Sequence, residues 1–175
     1  MTFNSFEFLI FFPIFLLCYF LLPKKLKMPA MLAMSYWFYA AWNFHLLALI
    51  IFTTAVSYFC ALAMEKTGKK SLRRLYITLT LIVCLGTLFF FKYYNFMAGT
   101  VSGIMSAING KSYDFSLNLI LPVGISFYTF QTLSYAIDVY RGDIKAERNF
   151  FWYALFVSFF PQLVAGPIER PENLL

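Results

Sequence analysis

The chain has 175 residues, of which 61% are hydrophobic, 22% aromatic and only 13% charged. A water-soluble domain carries about 25% charged residues, so there is too little charge here to cover a surface facing water. The net charge of +6 does not point to nucleic acid. The basic residues stand in short clusters between oily runs and the aromatics lie inside the runs, a pattern that marks membrane topology. The fold class read from this is all-α: a polytopic transmembrane helical bundle of about six spans, with the lipid bilayer as its solvent.

The first oily run covers 3–22, with Glu7 near one end and Pro13 inside it. About twenty residues at 1.5 Å each cross a hydrocarbon core of about 30 Å. Lys24, Lys25 and Lys27 follow this run and none precedes it, the reverse of a signal peptide. Apolar sequence then extends from Met28 to Met64, too long for a single crossing. The break is expected at Trp42-Asn43-Phe44-His45, giving spans at 29–42 and 46–64. The basic stretch "EKTGKKSLRR" comes next, then a span at 75–96 that ends in "FFFKYYNF". Residues 98–116 are small, polar and turn-rich. Asn109-Gly110 is a turn signal, and Gly99-x-x-x-Gly103 reads as loop or a short interfacial helix. A fifth span is expected at 117–139 and a sixth at 150–164, separated by "YRGDIKAERN", with a bend or re-entrant segment over 161–175.

This division puts three basic groups on one face: Lys24/Lys25/Lys27, the 65–74 cluster, and Arg141/Lys145/Arg148. The opposite face holds 43–45 and 98–116, whose one basic residue is Lys111. The basic face is therefore read as cytoplasmic and the N-terminus as outside. Cys18, Cys60 and Cys84 each lie in an apolar run without C-x-x-C spacing. With a single histidine in the chain they form no zinc set and read as small buried hydrophobes.

The densest polar signal inside an oily run is "LPVGISFYTFQTLSYAIDVYRG". Pro122 and Gly124 interrupt or kink a helix, and Gln131, Ser134, Tyr135 and Asp138 then fall on one helical face. In a membrane such a stripe faces protein or a water-lined cavity, either to glue helices together or to line a site. Asp138 beside Arg141 reads most plainly as an interfacial ion pair.

Taken together, "LPVGISFYTFQTLSYAIDVYRG" and "YALFVSFFPQLVAGPIER", with "FFFKYYNF" upstream, resemble the membrane-bound O-acyltransferase family. The likeness is to the bacterial branch typified by alginate O-acetyltransferase, with a related branch that transfers D-alanine to teichoic acids. The resemblance implies that acetyl passes across the bacterial cytoplasmic membrane from a cytoplasmic acetyl thioester, acetyl-CoA, to an exported polysaccharide. It also implies an extracytoplasmic acetyltransferase partner. Candidate residues for the tunnel or donor site are Gln131, Asp138, Arg141, Gln162, Glu169 and Arg170. Arg141 and Arg170 read equally as partners of donor phosphates or as ion-pair partners of Asp138 and Glu169.

The family's essential histidine lies in a buried helix well beyond the "AGPIER" block, and no position here matches it. The chain's His45 falls in an expected outer turn before that block and is read as an interfacial turn residue. No glycine-rich phosphate loop, nucleophile elbow or metal spacing offers another centre. The expectation is an amino-terminal acyltransferase portion that is inactive alone, with no catalytic residue of its own. Two other readings stay open: a transporter or channel subunit, with Pro122/Gly124 marking a broken helix, or a non-catalytic membrane scaffold.

Overall fold

The computed structural model describes residues 6–165 other than 42, 118, 120 and 123. Seven helices form among the described residues: α1 (Phe6–Leu21), α2 (Lys24–Ala40), α3 (Phe44–Lys66), α4 (Lys70–Asn109), α5 (Ile125–Arg141), α6 (Phe150–Ser158) and α7 (Phe160–Ala165). α3 occupies the centre, with α2, α4, α5 and α6 packed on it. α4 also packs on α5, and α1 packs mainly on α2 and touches Phe160 of α7 through Phe11 and Phe15.

Helix ends follow local chemistry. At the start of α3 the Asn43 side chain accepts from the backbone N–H of His45 at 2.9 Å, which satisfies one of the donors a helix leaves open. The basic run at 24–27 is not a loop before the second helix: α2 begins at Lys24, directly after Pro23. Pro13 leaves α1 continuous from Phe6 to Leu21.

α4 departs most from the reading of the sequence, which ended it at 96 and made 98–116 loop or a short interfacial helix. It runs for 40 residues to Asn109, about 60 Å. The stretch after Phe96 contains no proline. Gly99 and Gly103 each cost about 1 kcal/mol in a helix, which the neighbouring Met97, Ala98, Ile104, Met105 and Ala107 tolerate. The Thr100 and Ser102 hydroxyls bond back to the carbonyls of Phe96 and Gly99. The Asn109-Gly110 signal is the end of this helix, where Gly110 takes φ 62° and its N–H bonds the Ser106 carbonyl.

α5 starts at Ile125 rather than 117. Pro122 has no N–H to give, and Gly124 stands at the N-cap with φ 70°. The described residues just before α5 form no helix and are held by α4. The Asn95 amide donates to the Leu117 carbonyl at 2.8 Å and accepts from the Leu117 N–H at 2.9 Å. Lys92 Nζ donates to Ser126 Oγ at 3.1 Å. Irregular backbone in a membrane needs such partners.

The segment read as one span over 150–164 is broken. α6 stops at Ser158, Phe159 is extended, and α7 begins at Phe160, so Pro161 falls in its first turn, where a missing N–H costs nothing.

α3 and α4 are long and apolar enough to cross a bilayer, and α1 and 150–163 are shorter apolar segments. Only 22% of the most apolar stretch of α4 is buried inside the bundle. Leu75, Leu79, Ile82, Phe89 and Phe96 face outward on it, as do Leu9, Leu17 and Phe20 on α1. Water would not tolerate apolar surface on this scale; lipid does. The molecule is a membrane helical bundle.

Candidate functional site

The stripe of Gln131, Ser134, Tyr135 and Asp138 on α5 faces two different places. Gln131 and Tyr135 point into the bundle, 2% and 0% exposed, whereas Ser134 and Asp138 line a groove on its surface. A face about 100° wide straddles the edge of the packed interior, so one stripe serves both.

On the inner side, Gln131 Nε2 donates to the Phe156 carbonyl at 3.0 Å and to Gln162 Oε1 at 3.3 Å. This follows from the break after α6. In a continuous helix the Phe156 carbonyl would accept from the N–H of Phe160, but that N–H turns to Ser35 Oγ instead. Gln131 satisfies the carbonyl so released, in a place where an unmet acceptor is costly. Two of the sequence-predicted residues, Gln131 and Gln162, are thus brought together, tying α5 to the α6–α7 break.

On the outer side the groove holds about 620 Å³ and is lined by Phe130, Leu133, Ser134, Ile137, Asp138, Arg141 and Asp143. Asp138 and Arg141 both line it, and Gln131 and Gln162 do not. The end of α5 is fixed in detail. Gly142, at φ 89°, and Asp143 both donate their N–H groups to the Asp138 carbonyl at 3.0 Å. The Arg73 guanidinium reaches over from α4 to the carbonyls of Val139 and Tyr140 and lies 5.6 Å from the Tyr140 ring. A cation at a helix C-terminus is favourably placed against the helix dipole.

The loop after the groove is pinned to α3. Glu65 accepts from Arg148 Nη2 at 3.0 Å and from the Ala146 N–H at 3.1 Å. Tyr58 donates to the Arg148 carbonyl at 2.6 Å, and Tyr135 Oη accepts from the Glu147 N–H at 2.8 Å. Further inside, the hydroxyls of Ser57 and Tyr153 lie 2.7 Å apart. Of the basic group Arg141/Lys145/Arg148, therefore, Arg148 is taken up in structure while Arg141 lines the groove.

Reasoning from sequence missed Glu65, Arg73, Tyr58 and Tyr153. Glu65 had a visible signal, being the one acid in a basic stretch; the others had none. Glu169 and Arg170 lie outside the described residues. His45 is exposed, and its backbone serves the α3 cap. Cys60 and Cys84 are buried free thiols, and Cys18 is half-buried.

A membrane helical bundle with a fifth helix that starts at a glycine cap, a break between the sixth and seventh helices, and a polar groove at the end of the fifth defines the broad class. The relatives narrow it. The chain is 39% identical over 178 residues to a protein of Azotobacter vinelandii named probable alginate O-acetylase AlgI, a match covering all of this chain and 35% of that protein. Its namesake in Pseudomonas aeruginosa is 37% identical over 177 residues, covering all of this chain and 34% of the relative. The peptidoglycan O-acetyltransferase of Helicobacter pylori is 34% identical over 194 residues, covering 94% of this chain and 36% of the relative. The chain belongs to the membrane-bound O-acyltransferase family. It spans about a third of the length of these relatives, matching their amino-terminal part. No protein-family model and no solved structure matches it.

Proposed function

We propose that the chain supplies the amino-terminal part of an O-acetyltransferase that moves acetyl from cytoplasmic acetyl-CoA across the membrane to an exported polysaccharide, with an extracytoplasmic acetyltransferase as partner. The observation that carries this is the match of essentially the whole chain to about a third of several proteins named probable alginate O-acetylase. The membrane is the bacterial cytoplasmic membrane, with the N-terminus outside and the basic segments 24–27, 65–74 and 141–148 inside. On that topology the groove of Ser134, Asp138, Arg141 and Asp143 opens at the cytoplasmic end of α5. Arg141 is the residue there able to pair with a donor phosphate. Gln131 and Gln162 lie outside that groove and enter the proposal as the tie between α5 and the α6–α7 break, and Glu169 and Arg170 belong to it through motif resemblance alone.

The test has two parts. Deleting the gene should remove ester-linked acetate, measured after mild base, from exported polysaccharide while leaving peptidoglycan acetate intact. Loss from peptidoglycan alone would move the acceptor to that of the Helicobacter pylori relative; no loss from either would end the proposal. In the whole enzyme, Arg141→Ala should raise the apparent KM for acetyl-CoA about tenfold or more with little change in kcat, the pattern of lost binding. Unchanged kinetics would remove Arg141 from the donor site.

A further inference from the structure

A second, apolar groove lies on another face, away from the α5 groove. It holds about 210 Å³ between α1, α2 and α6, lined by Tyr19, Met31, Trp152, Leu155, Phe156, Phe159 and Gln162. Gln162 is its polar lining residue besides Tyr19 and Trp152. Tyr19 links the groove to the first turn of α2, since Lys27 lies 4.9 Å over its ring.

That first turn is electrostatically odd. A helix N-terminus carries about half a positive charge, and acids rather than bases are stabilising there. α2 has no acidic residue in its first turn and no side-chain cap at Pro23, yet it bears Lys24, Lys25 and Lys27. Lys24 and Lys25 are exposed and Lys27 is half-buried. Among the described residues none of the three makes an ion pair. Three cations on the positive end of a helix repel one another and the dipole, and an anion bound among them would relieve both. An acidic phospholipid brings an anion to a membrane surface with an apolar tail directly beneath it.

The geometry points to a phospholipid site: an anionic headgroup held by Lys24, Lys25, Lys27 and the open first turn of α2, with one acyl chain lying in the groove between Tyr19, Met31, Trp152 and Phe159. Backbone N–H groups at a helix start favour phosphate oxygens, and each lysine near an anionic lipid surface contributes attraction of about 1 kcal/mol, some fivefold in affinity. The groove walls, aromatic and thioether side chains, adapt to a flexible chain. The site does not depend on the acyl-transfer proposal.

Trp152 lines the groove and reports on it. The protein carrying Trp37→Phe and Trp42→Phe, reconstituted in phosphatidylcholine nanodiscs, would be titrated with phosphatidylglycerol or phosphatidylcholine brominated on the acyl chains. Brominated phosphatidylglycerol should quench Trp152 at a mole fraction at least about fivefold lower than brominated phosphatidylcholine. Replacing Lys24, Lys25 and Lys27 by Gln should abolish the preference, whereas replacing Lys66, Lys69 and Lys70 by Gln should leave it. A companion protein retaining only Trp37, which lies in a different groove beside Glu7, should show no preference. Equal quenching by the two lipids would overturn the site. So would a preference that survives the first lysine replacements, is lost with the second set, or appears equally at Trp37, since each would mean general enrichment of acidic lipid around a basic protein.

Discussion

The two halves of the bundle are held in different ways. Where α3, α5 and α6 meet, tyrosines and small hydroxyls are buried together: the Tyr153 ring lies tilted against Tyr135 and Tyr58 with centroids 4.5 and 5.7 Å away, and each of the three tyrosine hydroxyls has a bonded partner. Where α1, α2 and α7 meet, phenylalanines do the packing. Phe160 is set edge-on against Phe11 and Phe15 and tilted against Phe38, with centroids 4.8–5.2 Å apart. Lipid is as apolar as phenylalanine, so ring packing alone gives little preference for protein over lipid and rests on close fit. Hydrogen bonds have no alternative partner in hydrocarbon, and they fix one register. The polar half is specified by direction, the aromatic half by shape.

The largest loss should come where the halves meet. Gly124 has φ 70°, and a Cβ there would stand 2.6 Å from the Leu163 carbonyl oxygen. Gly124→Val combines a strained backbone with a clash against backbone, neither of which a side-chain rotation relieves. A cost of about 3 kcal/mol or more is expected, read as failure to accumulate in the membrane or a drop in Tm of ten degrees or more in detergent. A variant that accumulates and melts like the parent would show that α5 and α7 do not approach so closely.

Next comes the aromatic half. Phe160 is 1% exposed, and Phe160→Ala should cost about 3 kcal/mol through the cavity it leaves. Phe160→Leu, which fills most of that space, should cost less than about 1.5 kcal/mol. Shape is what matters there, and equal losses for the two variants would contradict it. In the polar half the order reverses. Tyr153→Phe changes almost no volume but removes the Tyr153–Ser57 bond, leaving the buried Ser57 hydroxyl only its bond to the Thr54 carbonyl, at about 0.5–1.5 kcal/mol. If Tyr153→Phe is neutral while Phe160→Leu is costly, the contrast between the halves fails.

The same division governs what could be read from sequence. Oily runs punctuated by basic clusters place the helices, because lipid imposes that pattern one segment at a time. Ends set by a neighbour were illegible. Nothing around Leu117 announces that Asn95, 22 residues earlier, bonds its backbone from α4. The helical stripe on α5 identified Gln131 and Asp138 as unusual. It did not show that one bridges a helix break while the other faces a groove, since that depends on where α6 packs. The link from Glu65 to Arg148 joins residues 83 apart and has no periodic signature.

The smallest expected effect lies at that link and separates anchoring of the loop from stability of the bundle. Glu65 holds Arg148 with one carboxylate oxygen and the Ala146 N–H with the other. Glu65→Gln keeps the shape, but its amide nitrogen must face one of two donors, so one of the bonds is lost. The Arg148 side chain is 64% exposed and that of Glu65 is 25% exposed, so solvent screens the pair and the global cost should be about 1 kcal/mol at most. A Tm change of a few degrees or less is the expected reading. Locally the effect should be clearer: hydrogen exchange at the Ala146 and Glu147 amides should speed up by roughly fivefold, the factor that about 1 kcal/mol of local opening represents. Exchange in the middle of α3 should be unchanged. Because the pair is partly exposed, raising salt should speed exchange of the same loop in the parent and narrow its difference from the variant. Uniform acceleration along α3, α5 and α6 would instead make Glu65 part of the polar half's global support, and the division between a fixed interior and a tethered loop would have to be redrawn.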